Sequence, residues 1–139
     1  MSMHYSHPDR PLADHISDVA IRAESLFKQT ALPDNGQLRD WLRVIALCHD
    51  FGKYTTYFQR HLIGEFNGEE SYHSELGAMY GSYVAERLWS SQYQPKQKEY
   101  YAPLFIYYII QRHHGHLINL EQAFPMDPTD WDKMKLLSS

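Results

Sequence analysis

The segment Leu38-Arg39-Asp40-Trp41-Leu42-Arg43-Val44-Ile45-Ala46-Leu47-Cys48-His49-Asp50-Phe51-Gly52-Lys53 sets the reading of the chain. Leu38, Trp41, Leu42 and Ile45 recur at helical spacing, and His49 extends the stripe four residues beyond Ile45. Gly52 stands where a helix is expected to stop. The segment predicts an amphipathic helix ending in a His-Asp pair.

The same period recurs on either side. Upstream, Leu12, Ile16, Val19, Ala20, Ala23 and Phe27 predict a helix that closes before Pro33, and Asp34-Asn35-Gly36 reads as a turn. Met1 to Arg10 reads as a polar, irregular entry. Downstream, Tyr54 to Leu62 predicts a short third helix, and Gly64 to Glu70 an exposed acidic loop. Ser71 is placed to cap a fourth helix carrying Leu76, Tyr80, Val84 and Leu88. Ser90 to Lys98 reads as a polar linker around Pro95. A fifth helix, about Glu99 to His114, is apolar almost all round and belongs at the centre of a bundle. After Gly115 the pattern weakens; residues 118–139 read as a weakly structured tail broken by Pro125 and Pro128. No repeat and no strand is legible. The expected fold class is all-α, a globular helical bundle.

Composition sets the outer bounds. The 139 residues fit one domain, with 43% hydrophobic and 22% charged residues, an ordinary globular balance. A net charge of −4 argues against retention on nucleic acid by bulk positive charge. The single cysteine, Cys48, excludes an internal disulfide and a multi-thiolate zinc site, and reads as a small buried apolar residue. The longest apolar run, Ala102 to Ile110, is too short to cross a bilayer, and no secretory leader is read, so the expected setting is the reducing cytoplasm.

Nine histidines in so short a chain are the chemical signal. His15 shares the apolar face of the first helix, His49 closes the second stripe, and His73 lies three residues before Leu76. His113 and His114 lie four residues after Ile109 and Ile110. Buried separately, each ring would need its own hydrogen-bond partner; a shared metal ion satisfies several at once. Imidazole with carboxylate suits Mn, Fe, Co, Ni or Zn better than Ca, with Mg also compatible. His4, His7, His61 and His116 carry no such signal.

His49-Asp50-Phe51-Gly52-Lys53 resembles the motif of the HD superfamily of metal-dependent phosphohydrolases. Pro11-Leu12-Ala13-Asp14-His15, the His-Asp-x-Gly-Lys run, Phe58-Gln59, His73-Ser74-Glu75-Leu76-Gly77-Ala78 and His113-His114-Gly115 follow in order over Pro11 to Leu117. Together they are similar to the HD nuclease domain of the CRISPR-associated helicase-nuclease of type I interference systems. The resemblance implies a helical bundle holding two divalent metal ions: His15, His49 and Asp50 on the first, with Asp50 bridging to a second completed by His73, His113 and His114. It gives Lys53 the part of a phosphate contact or orienting group, beside the simpler reading of a cation at a helix C-terminus. Ser74 stands at the family's small polar position next to the metal histidine. The family's last ligand, an aspartate on a later helix, has no clear counterpart. Asp127, Asp130 or Asp132 substitutes, or the chain is the N-terminal piece of something longer and the first site is incomplete here. No phosphate loop of helicase type is present, so a superfamily 2-type helicase would be a separate chain or a downstream domain.

The expected activity is hydrolysis of phosphodiesters in single-stranded DNA, as endo- or exonuclease, in company with that helicase and a CRISPR surveillance complex and without a membrane. Tyr54, Tyr57, Tyr72, Tyr100 and Tyr101 offer faces on which bases stack. A nucleotide phosphohydrolase on the same scaffold and a catalytically impaired docking module are the alternatives; products from small phosphoesters and metal content separate them.

Overall fold

A computed structural model of the chain describes residues 3–32, 36–68, 72–92 and 101–115. The described residues form five α-helices: α1 (Leu12–Phe27), α2 (Gln37–Cys48), α3 (Thr56–Leu62), α4 (His73–Gln92) and α5 (Ala102–Gln111). A 3-10 turn, Phe51–Tyr54, leads from α2 toward α3. The architecture is all-α but for one small antiparallel sheet, β1 (Tyr5–His7) and β2 (Arg10–Pro11).

That sheet corrects the reading of Met1 to Arg10 as irregular. Asp9 takes a positive φ of 64° in the connecting turn, a conformation Asp adopts more readily than most residues. The register slips between Tyr5 and His7, and Ser6, at the irregularity, is buried. Strands this short carry no period that a sequence pattern can reveal. The sheet also serves α1, whose N-cap residue Pro11 makes no side-chain cap: the Leu12 N–H donates instead to the His4 carbonyl at 2.8 Å.

The core gathers Val44 and Cys48 from α2, Ala78 and Ala85 from α4, and Ile106 and Ile110 from α5, with Trp41, Ile45, Val84 and Tyr107 packed against it. Cys48 is the small buried residue expected. Leu12, Ile106 and Ile110 have 0% of their surface exposed. Burying a side chain of this kind contributes roughly 1.5–3 kcal/mol. α5 is central, although Phe105 on its outer side stays exposed.

Two helix assignments change. Leu76, Tyr80 and Leu88 of α4 are exposed, and the face turned inward is Gly77, Ala78, Gly81 and Ala85. Bulk misled the pattern: this helix buries its smallest side chains because its neighbours come too close for large ones. α4 also runs on through Gln92, into the stretch read as a linker, and the candidate cap Ser71 lies outside the described residues. Gly52 does not stop α2. The helix ends at Cys48, and Gly52 sits buried inside the 3-10 turn with no positive φ. A Cβ there would lie 2.4 Å from the His73 carbonyl oxygen.

A Cβ on Gly77 would meet the backbone carbonyl oxygens of His49 and Cys48 at 2.7 and 2.8 Å, whereas on Gly81 it would meet the Ile110 Cδ1 methyl at 2.4 Å. The end of a flexible side chain can shift by a bond rotation; a helix-end carbonyl cannot. Gly77→Ala is therefore expected to destabilise the fold by about 1–3 kcal/mol in urea unfolding, despite the better helix propensity of alanine. Gly81→Ala should cost clearly less, and equal midpoints for the two variants would contradict this packing.

Candidate metal centre

The centre is built on Asp50, 1% exposed, just past the C-terminus of α2. Four imidazoles and one ammonium face its carboxylate. On Oδ2, His15 Nε2 lies at 3.0 Å, His49 Nε2 at 3.5 Å and Lys53 Nζ at 2.9 Å. On Oδ1, His73 Nε2 lies at 3.2 Å and His113 Nε2 at 3.5 Å. His114 Nε2 in turn lies 2.8 Å from His73 Nε2. The ligand-type atoms fall into two groups, His15–His49–Asp50 and Asp50–His73–His113–His114, each within 4.8 Å of one another. Asp50 belongs to both.

Each ring reaches the centre from a different element. His15 comes from the first turns of α1, His49 from the C-cap of α2, His73 from the first residue of α4, and His113 and His114 from the turn after α5. Gly52 and Gly77 permit that convergence, since they let the start of α4 lie against the 3-10 turn and the end of α2.

Hydrogen bonding fixes the tautomer of two rings. His49 Nδ1 lies 2.8 Å from the Ala46 carbonyl, and His113 Nδ1 2.6 Å from the Ile110 carbonyl. A carbonyl only accepts, so each Nδ1 carries a proton, and in its neutral form each ring turns a bare Nε2 toward Asp50. A bare nitrogen facing a carboxylate oxygen sets two electron-pair donors against each other. His113 Nε2 and Asp50 Oδ1 are both buried without a hydrogen-bond partner among the described residues. A cation between them resolves that conflict, and a backbone carbonyl orienting the far nitrogen is the usual support of a metal-ligating histidine. The donor set fits a divalent transition ion.

Electrostatics point the same way. Burial lowers the His49 and His15 pKa values, more than the charge of Asp50 raises them. His114 is lowered to about 4 by desolvation and by the charges of His113, His73 and Lys53. All three rings are thus neutral, the form that binds metal. Burial alone would raise the Asp50 pKa, but the polar groups turned on the carboxylate, the Lys53 ammonium among them, more than offset it, so the carboxyl titrates far below the usual range.

The family described as Cas3, HD domain matches residues 4–135. The chain belongs to that family. No curated protein and no solved structure matches it. A Cas3 HD domain is a metal-dependent nuclease of CRISPR interference, and the His/Asp clusters here accord with a metal-dependent hydrolase. Among the described residues no helix is long and apolar enough to cross a membrane.

Lys53 is left by the sequence between a phosphate contact or orienting group and a cation at a helix C-terminus. It lies in the 3-10 turn with 4% of its surface exposed, its ammonium on Asp50 rather than at the surface. Ser74 follows His73 in the first turn of α4, and Asp127, Asp130, Asp132 and His116 lie outside the described residues. Two contributors were not anticipated. Ser6 presents its carbonyl 3.4 Å from Lys53 Nζ. His7, set aside as part of an irregular segment, brings its ring centroid to 5.7 Å from that of His15. Gln59 was seen only as part of a motif. Its side chain accepts from the Tyr5 N–H at 3.0 Å and donates to the carbonyls of Tyr5 and Lys53 at 2.9 and 2.8 Å, pinning β1 to the 3-10 turn. No periodicity signals an amide that pairs with a strand more than fifty residues away.

Asp50 and Lys53 form a buried ion pair, and removing one partner from such a pair typically costs about 3–5 kcal/mol. In metal-free protein Asp50→Asn should therefore lower the unfolding free energy by several kcal/mol. The double variant Asp50→Asn/Lys53→Met should recover a substantial part. Additive losses in denaturant titrations would refute the pairing. Gln59→Ala should loosen the N-terminal strand selectively, seen as faster amide hydrogen exchange at Tyr5 and Leu12 with α5 unchanged.

Proposed function

We propose that this chain hydrolyses phosphodiesters of single-stranded DNA at a centre of two divalent metal ions. His15, His49 and Asp50 would hold one ion and Asp50, His73, His113 and His114 the other, with Asp50 common to both sets. The observation that carries the reading is the division of Asp50: one oxygen faces His15 and His49, the other His73 and His113.

Divalent ions held there supply Lewis acidity toward the phosphodiester and toward the water that attacks it. The chain's residues provide the setting. Neutral imidazoles add no negative charge, so an anionic phosphate is not repelled by its own site. The carbonyls of Ala46 and Ile110 hold two rings in a single orientation, which favours a fixed geometry during turnover. His114 stands at the exposed edge of the centre, where a substrate enters.

Several features favour an unpaired strand. Of the five candidate stacking tyrosines, Tyr100 lies outside the described residues and Tyr54, Tyr57, Tyr72 and Tyr101 are exposed; a base stacked on such a ring is worth about 1–3 kcal/mol. A duplex already stacks its bases on one another. With a net charge of −4 the chain has little general attraction for DNA, so delivery by a helicase and a surveillance complex in the cytoplasm completes the proposal.

Protein loaded with Mn or Ni should shorten single-stranded oligonucleotides and leave blunt duplex largely intact; EDTA should abolish cleavage and Asp50→Asn remove it. Equal cutting of duplex would overturn the strand preference, and phosphate release from mononucleotides without shortening would overturn the nuclease. Elemental analysis should give one ion fewer per chain for His15→Ala than for wild type. An unchanged ratio would remove His15 from the ligand set.

A further inference from the structure

Resting on the metal-centre reading above, we propose that Lys53 makes the two halves of the centre unequal. Its ammonium sits on the Oδ2 side of Asp50, so the His15–His49 half takes a divalent cation more weakly and the His73–His113–His114 half fills first.

The placement is specific. Lys53 Nζ is 2.9 Å from Asp50 Oδ2, the oxygen that faces His15 and His49, while Oδ1 faces His73 and His113. A cation entering the Oδ2 half shares its one anionic ligand with a charge already present. Like charges at a common oxygen in a poorly solvated site repel each other far more strongly than in water. The Oδ1 half meets the same charge only from across the carboxylate.

The lysine is held where it is. Its side chain is 5% exposed, its Nζ lies 3.4 Å from the Ser6 carbonyl and 5.3 Å from the centre of the Phe58 ring. Its backbone is anchored too: the Lys53 N–H donates to the Asp50 carbonyl at 2.9 Å, and its own carbonyl accepts from Gln59. A lysine at the surface would swing into water as an ion arrived. This one has no solvent within reach without breaking the contacts that tie β1 to the 3-10 turn. The Oδ2 half therefore keeps its resident charge, and Lys53 acts as a positioning residue through Asp50 rather than as a catalytic one.

The two halves also differ in the number of donors, which would by itself make them unequal. Substitution separates the causes, because Lys53→Met removes the charge and leaves every donor in place. In calorimetric titration of chelator-stripped protein with Mn, wild type should show two classes of site. Lys53→Met should tighten the weaker class by about tenfold or more while leaving the stronger nearly unchanged. Lys53→Arg should keep the wild-type separation. If Lys53→Met loosens both classes, or leaves their ratio as it was, the lysine only orients Asp50 and the inference falls. A second measurement on wild type guards against a variant that does not fold: substoichiometric Zn, a diamagnetic ion, should shift the imidazole NMR signals of His73, His113 and His114 before those of His15 and His49. Shifts in the reverse order, or all together, would overturn the load order alone. No binding in either half would bring down the metal-centre reading with it.

Discussion

A single buried negative charge organises this molecule. Asp50 is almost wholly removed from water; the Lys53 ammonium on Oδ2 sustains its ionised form, and four imidazoles are turned on its two oxygens. An isolated carboxylate at such depth would take up a proton; a surrounded one need not. The partners arrive from α1, α2, the 3-10 turn, α4 and the end of α5. Polar satisfaction at one point thus depends on the mutual placement of nearly every described element. Few arrangements of the chain meet that condition.

Packing and electrostatics are joined at the glycines. Gly77 brings α4 onto the carbonyls that end α2, and Gly52 brings the 3-10 turn onto the backbone of His73. Larger residues would hold those segments apart and carry His73 away from Asp50. The hydrophobic core does the complementary work from the other side, seating Ile106 and Ile110 against Ala78 and Cys48 and so setting the depth at which α5 delivers its two histidines. Glu75 adds a polar clamp on the outer side, accepting from the Tyr107 hydroxyl and from the Gln111 amide at 2.9 Å. Core and centre are two faces of the same helix ends.

The chemistry follows from what the centre contains. Bare imidazole nitrogens and one shared carboxylate make a site rich in donors and poor in negative charge, suited to keeping bound cations electrophilic toward an anionic ester. The N-terminal sheet belongs to this site as much as to the fold. Through Ser6 it contacts Lys53, through His7 it reaches the His15 ring, and through Gln59 it is tied to the turn that follows Asp50.

Helical spacing was enough to place α1, α2 and α5 and to set His15, His49 and the His113–His114 pair at the ends of apolar stripes, because a period of 3.6 is a local property of the chain. It failed where the determinant was not local. The inward face of α4 is its small-residue face, chosen by how near its neighbours come; Gly52 is required by the backbone of His73 rather than by a helix end; and β1 is held by a glutamine far along the chain. Residue identity alone supplied the metal-binding chemistry, since imidazole and carboxylate carry it wherever they stand. Only the tertiary structure decided that these groups meet on the two oxygens of one aspartate, and that Lys53 turns inward to share one of them. Distances between helices are set by packing across the whole molecule, which no local pattern encodes.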